Sequence, residues 1–504
     1  MKYIKNITVK GSIIALLLIL SIACDDNFLD RNPLSQISSP AFWNTQNDAD
    51  MALTGCYARL RGETFTWRSM SFDVIAGDAT RGYGAYDIAL GLHEANSGGL
   101  INTVFTECYR GIATCNFFLE NIERVPIPEQ IINQYKGEVM FLRALFYFTL
   151  TDFYGGVPLY TKTVTIEEAQ VAQSTKQQVI EQVIKDLDFA IANLPNTDYS
   201  STGHAVKGTA LALKSRVLLY QSDWAGAAAA AKQVMTEGKF SLSDDFKNMF
   251  LKYGQDDNPE IMFSTRYLNP DNSSEQDIQI EWWGGWNPLQ ELVDAFECTD
   301  GLPITQSPLY DPTNFRLNRD PRLKITVNHV DDPAVKASGE VVPYAYNDPS
   351  RSGYQVAKAA DVEELPVDYS TKSEQDWILI RYAEVLLNYA EAQNEVLSIP
   401  DLSVYNAINA IRARPGIDMP PLPAGLSKEQ MRARIWNERR VELAMEGHRY
   451  GDVKRWKLAE TYINTIKEPD SGTPRVFNPS KHYLFPFPQS EMDVNPNLVQ
   501  NPGY

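Results

Sequence analysis

Residues 205–240 read AVKGTALALKSRVLLYQSDWAGAAAAAKQVMTEGKF. Apolar and small positions recur every three to four residues from Ala205 to Tyr220, the spacing of an amphipathic helix. Asp223 offers a side-chain acceptor to the first free N–H groups of a second helix, Ala225 to Glu237, and Gly238 supplies its stop. The second helix is rich in alanine, so the two can lie close together antiparallel. A hairpin of this kind leaves one face uncovered and buries it only by stacking on a neighbour, as tetratricopeptide repeats do.

The same pattern recurs outward from this pair. Residues 40–60 carry a helical spacing through Ala49, Ala52, Leu53, Cys56, Tyr57 and Leu60. Val104 to Ile122, Gln130 to Asp152 and Thr175 to Leu194 are further candidates, the last stopped by Pro195. A second hairpin covers 377–416, WILIRYAEVLLNYAEAQNEVLSIPDLSVYNAINAIRARPG, with Ile380, Ala383, Leu387 and Ala390 on one face and Asp401 as a cap. Ser427-Lys-Glu-Gln430 is a capping box, and its helix extends through Glu438, Val441 and Met445 to Gly447. Within it Arg439, Arg440, Glu442 and Glu446 are spaced to pair with one another three and four residues apart. They are read as structural, tying the last helix to its neighbours. The expected fold class is mainly α: tetratricopeptide-repeat-like hairpins at about 40–240 and 377–460, with a long irregular, loop-rich insertion at about 241–376. A tail from 461 to 504, rich in proline, is expected to wrap the surface.

The 504-residue chain is 44% hydrophobic, enough for a sizeable core, and carries a formal charge of −18. That balance excludes nucleic acid and anionic lipid as partners, since both require basic patches. At the N-terminus, MKYIKNITVKGSIIALLLILSIAC has three lysines, then an apolar run too short to span a bilayer, then small residues. Residues 1–23 read as a secretory signal peptide. Their removal takes away Lys2, Lys5 and Lys10 and leaves the mature chain three charges more negative than −18. Ser21-Ile22-Ala23-Cys24 resembles a lipoprotein box with Ser21 where leucine is usual; lipid on Cys24 would anchor the protein to a membrane without spanning it. If Cys108 and Cys115 share a helix they lie about 10 Å apart, too far to pair.

Catalytic constellations are absent. The five histidines show no metal-ligand spacing, and there is no GxSxG elbow, phosphate loop or full GxGxxG. No metal or cofactor is called for, and no enzyme. DNSSEQD at 271–277 reads as a solvated turn before it reads as a calcium site. What the chain offers is binding surface. WWGGW at 282–286 places three indoles around two glycines, inside the irregular insertion. FDVIAGDATRGYGAYD at 72–87 places Tyr83 and Tyr86 in a second glycine-rich loop beside Asp73, Asp78 and Arg81. Flat aromatic surface with a polar rim suits pyranose rings, which present apolar C–H faces edged by hydroxyls. Core tryptophans under a loop remain the alternative for WWGGW.

Blocks along nearly the whole chain resemble the SusD/RagB family of surface lipoproteins of Bacteroidetes-type bacteria. They are CDDNFLDRNPLSQISSPAFWNTQNDADMALTGCYARL (24–60), LRALFYFTLTDFYGGVPLY (142–160), the hairpin at 205–240 and PLQELVDAFECTDG (288–301). DPRL (320–323), RYAEVLLNYAEAQNE (381–395), NERRVELAMEGHRYGDVKRW (437–456) and YLFPFPQSEMDVNPNLVQNPGY (483–504) complete the series. The resemblance implies one SusD/RagB-like domain over 24–504, exposed at the outer membrane. It also implies a TonB-dependent, SusC-like transporter as partner and a glycan as ligand. Asp25 and Asp26 suit the acidic export signal of such lipoproteins. In the family, ligand contacts come from the two loop regions just described. Tyr83, Tyr86, Trp283 and Trp286 are therefore the expected platforms, with Asp78 and Arg81 at the rim. Gly284 and Gly285 are expected to let the indoles face one way. Trp286 has a competing role as a core anchor for PLQELVDAF. Peptide capture on the same scaffold, or a glycosidase, are the alternative functions.

Overall fold

The computed structural model describes residues 42–84, 86–342 and 350–504. Cys24 and the expected signal peptide lie outside them. Thr45 opens helix α1 (Gln46–Tyr57) with a capping box: its hydroxyl accepts from Asp48 N, and the Asp48 carboxylate accepts from Thr45 N at 2.8 Å. A short helix α2 (Ser71–Ala76) and strand β1 (Ala79–Arg81) precede α3 (Leu100–Asn121), α4 (Glu129–Tyr154) and α5 (Lys176–Asn193). The hairpin read first becomes α6 (Lys207–Tyr220) and α7 (Trp224–Glu237). Asp223 caps α7 through Gly226 N, and Gly238 ends it at φ 62°.

Each helix from α3 to α7 packs on the next. Close approach needs small residues, and a Cβ on Gly111 of α3 would run into the Phe146 ring of α4. Helix α8 (Tyr382–Val396) lies directly against α7, although the whole insertion separates them in sequence. The repeat stack therefore continues as if the insertion were a loop. Two more helices, α9 (Leu402–Arg412) and α10 (Lys428–Glu442), pack on α8, with Asp401 and Ser427 as their caps. Helix α11 (Arg449–Arg455) follows a left-handed Gly447.

Two expectations need correction here. Residues 377–381 are not the start of a helix. They form a strand that pairs antiparallel with Ile261–Thr265, as the β-branched Ile378 and Ile380 favour. The charged residues of α10 do not pair along their own helix either. Glu442 is fully buried and accepts from Arg322 Nη1 (2.9 Å), Arg381 Nη1 (2.7 Å) and Arg414 Nη2 (2.8 Å). Arg439 binds Asp452 Oδ2 (2.8 Å), and Glu446 takes Arg381 and Lys358. Burial raises a carboxyl's pKa, but the three arginines around Glu442 outweigh it and hold that group well below the usual carboxylate range. These pairs clamp the insertion, through Arg322 and Glu260, to the helical stack.

The tail from 461 crosses the end of α4, where Phe485 N donates to Phe153 O (2.7 Å) and Asn501 Nδ2 to Tyr154 O (3.0 Å). One apolar core runs through the stack and much of the insertion. A second, small one, Ala334, Val342, Leu365 and Val367, lies in the insertion and packs against Trp282.

Candidate functional site

Strand β1 pairs antiparallel with Trp286–Pro288, putting Thr80 opposite Asn287 and Arg81 opposite Trp286. This two-stranded ladder joins the two aromatic loops singled out in the sequence, which nothing local in either would connect. The contact continues beyond the strands, where Gly82 N donates to Gly285 O at 3.1 Å. The backbones touch so closely that a Cβ on Gly82 would collide with the Gly284 carbonyl oxygen. Gly284 itself is left-handed (φ 56°), and a side chain there would strike Gln355. The glycines thus serve close approach of two segments of the chain.

Just before the crossing, Ile278–Trp282 form one turn of π-helix, closed by Trp283 N to Ile278 O at 3.0 Å. The extra residue in that turn is the kind of distortion that gathers at binding sites. Trp282 and Trp283 emerge from it half-buried. Both lean on Tyr369, whose ring is 6.4 Å from Trp282 and 6.1 Å, nearly edge-on, from Trp283. Tyr369 is 71% exposed. It lies in DYSTKSEQD (368–376), a polar stretch without periodicity, and the sequence reading missed it; a lone aromatic among polar residues was its only signal. Across the ladder Tyr83 is 48% exposed, and its hydroxyl lies 3.8 Å from where a Cβ of Gly285 would be. Tyr86 beside it is half-buried, and burial pushes its phenol up to about 12 against the opposing charge of Arg81.

Two expected site residues are inside the protein. Trp286 is only 5% exposed and meets Trp67 edge-to-face at 5.4 Å, with Nε1 donating to Ser71 Oγ at 3.3 Å. It is a core anchor, since its strand turns it inward. Asp78 is 1% exposed and accepts from Arg440 and from the Tyr462 hydroxyl (2.9 Å), with Arg449 at 3.6 Å. Burial would push its carboxyl up, but the two arginines hold it below the ordinary range. All three partners arrive from the far end of the chain, so Asp78 has no free oxygen for a rim. Asp73, Glu281 and Asn287 are buried as well, as are Ser274, Gln276 and Asp277 of the stretch expected to be a solvated turn. The exposed residues of this aromatic ledge are therefore Tyr83 and Tyr369, with Trp282, Trp283, Arg81 and Tyr86 half-buried beside them.

Comparison with known proteins decides the family. The model described as "SusD family" matches residues 246–504, half of the chain, including Trp282, Trp283 and Tyr369. This chain belongs to the SusD family. A second model, "Starch-binding associating with outer membrane", matches 27–219. A SusD-like protein (P2) of Formosa agariphila is 28% identical over 98% of this chain and 99% of its own length. A SusD-like protein of Bacteroides fragilis superposes with a TM-score of 0.80 at 28% identity, covering 94% of this chain and all of that one. A SusD-like carbohydrate binding protein, also of Bacteroides fragilis, gives 0.79 at 26% identity, over 91% of this chain and all of that one.

Proposed function

We propose that this chain binds a glycan on the ledge without cleaving it and delivers it to a TonB-dependent, SusC-like transporter in the outer membrane. The supporting observation is the meeting of two distant aromatic loops across the ladder of β1 with Trp286–Pro288, with Tyr83 and Tyr369 exposed and Trp283 half-buried between them. A contiguous exposed aromatic patch rimmed by polar residues marks a binding surface, where a lone exposed aromatic would not. A sugar face suits such a patch, and each contact adds roughly 0.5–1.5 kcal/mol beyond area burial. Membership of the SusD family and the starch-binding description of its N-terminal model point the same way. Three carboxylates of the two loops, Asp73, Asp78 and Glu281, are sealed from solvent and cannot reach a glycosidic oxygen.

A panel of polysaccharides and casein-derived peptides, run in native affinity gels with the soluble chain from Asp25, tests this. Retardation by at least one polysaccharide and by no peptide is expected; retardation by peptides alone would replace the reading with peptide capture. Release of reducing ends during the assay would return the glycosidase.

Anchorage is a separate expectation. Among the described residues no helix is long and apolar enough to cross a membrane. Lipid on Cys24 would hold the protein at the surface. Cys24→Ala should move it from the membrane fraction to the soluble one, and mild-detergent purification of the native protein should bring down a large β-barrel. A variant that stays with membranes after a high-salt wash, or a native protein always recovered alone, contradicts this part.

A further inference from the structure

The arginines around the ledge are nearly all neutralised. Arg351 is held by Glu468 (3.0 Å) and Asp470 (2.5 Å), Arg68 by Glu63 (3.0 Å), and Arg440 by Asp78 (2.5 Å). Arg81 differs. Among the described residues no carboxylate lies within 4.0 Å of it, and its side chain makes one hydrogen bond, Nη2 to the Tyr83 hydroxyl at 3.3 Å. Two rings rest against its guanidinium, Tyr83 and Tyr86, each with its centroid 4.9 Å from Cζ. Contacts of that kind use the flat faces of the group, and apart from the Nη2 bond to Tyr83 they leave its N–H edge open. The backbone beneath is fixed too. Arg81 sits opposite Trp286 in the ladder, and its carbonyl accepts from Arg351 Nη1 at 3.0 Å. Arg81 is therefore a partly exposed, pre-ordered cation whose N–H fork has no anion, attached to the ring of the exposed Tyr83.

We infer that the ledge selects anionic sugars, with Arg81 receiving the carboxylate or sulfate of a unit stacked on Tyr83. This rests on the glycan reading above and narrows it. A planar fork matches a two-oxygen anion, and charge-assisted bonds of this kind are roughly twice as strong as neutral ones. Because the tyrosines already hold the guanidinium, binding immobilises little that was free. Glu63 and Asp87 lie within electrostatic reach of Tyr86. Glu63 is engaged by Arg68, and Asp87 is exposed and screened by solvent, so neither neutralises Arg81.

The test compares three polymers on the soluble chain from Asp25: polygalacturonate, a sulfated galactan and a neutral β-galactan. At least one acidic polymer should bind about tenfold tighter than the neutral one. That advantage should shrink between about 50 mM and 300 mM NaCl, as screening shortens the reach of the charge. Arg81→Gln should cut the acidic-to-neutral affinity ratio by about tenfold, and Arg81→Lys should keep part of it, having the charge without the fork. Which acidic polymer leads tells carboxylate from sulfate. A neutral polymer bound as tightly as both acidic ones, or a ratio unchanged in a folded Arg81→Gln variant, overturns the inference and leaves the glycan reading standing. If Arg81→Gln does not fold, the wild-type ratio and its salt dependence still decide. Failure of the wild type to bind any polysaccharide in the wider panel is the distinct result that removes the glycan reading, and this inference with it.

Discussion

Glu442→Ala should destabilise the protein by about 3–5 kcal/mol, the cost of removing one partner from a buried ion pair. Glu442 is shared by Arg322, Arg381 and Arg414, all of them inside the protein. Each keeps another carboxylate after the change, so one surplus positive charge is left in the interior with its hydration lost. Glu442→Gln retains the volume and some hydrogen bonding and should fall between the two. The pH dependence has a defined sign. A carboxyl held below its ordinary value stabilises the fold fully above the unfolded-state pKa of about 4.3, and the contribution is lost as pH falls towards the depressed folded value. Chemical denaturation of wild type and both variants, at neutral pH and at pH 4, measures this. An Ala variant within about 1 kcal/mol of wild type would mean that the clamp between insertion and stack is dispensable.

Trp286→Ala should cost about 3–5 kcal/mol as well, for a different reason: it empties an aromatic-sized volume beside Trp67 and Ser71. The loss falls on the ladder that aligns the two loops, since Trp286 is the residue facing Arg81. Affinity for a glycan should drop too, as a consequence of the disordered ledge and in step with the fall in stability. Denaturant midpoints and binding measured on one preparation check the coupling. A stable Trp286→Ala variant with weakened binding would return Trp286 to the ligand surface.

The helical half was legible because its signals are local. The 3.6-residue spacing, Asp223, Asp401, the Ser427 capping box and Gly238 all act within a few residues of where they stand. The ledge was legible only in its parts. Aromatic residues beside glycines marked both loops, but the pairing of residues 79–81 with 286–288 is a tertiary event with no local signature. Burial of Asp78 was invisible for the same reason, since Arg440, Arg449 and Tyr462 come from the other end of the chain. Trp286 lies in the strand while Trp282 and Trp283 end the π-helical turn before it, so the three indoles sit on different elements, whereas a floppy loop had suggested that all three share a direction. Residues 377–381 were misread because a short apolar run before a strong helix looks like its first turn.

The most direct test of the ledge is Trp283→Ala, with affinity for a polysaccharide that the wild type retains and thermal midpoint taken from the same sample. Trp283 is half-buried, leaning on the exposed Tyr369. Its truncation should weaken binding by about 1–3 kcal/mol, the scale of an aromatic anchor, and leave the melting temperature close to that of wild type. Unchanged affinity together with a melting temperature lowered by the several degrees expected of a lost core tryptophan would contradict the proposal that this surface holds the sugar.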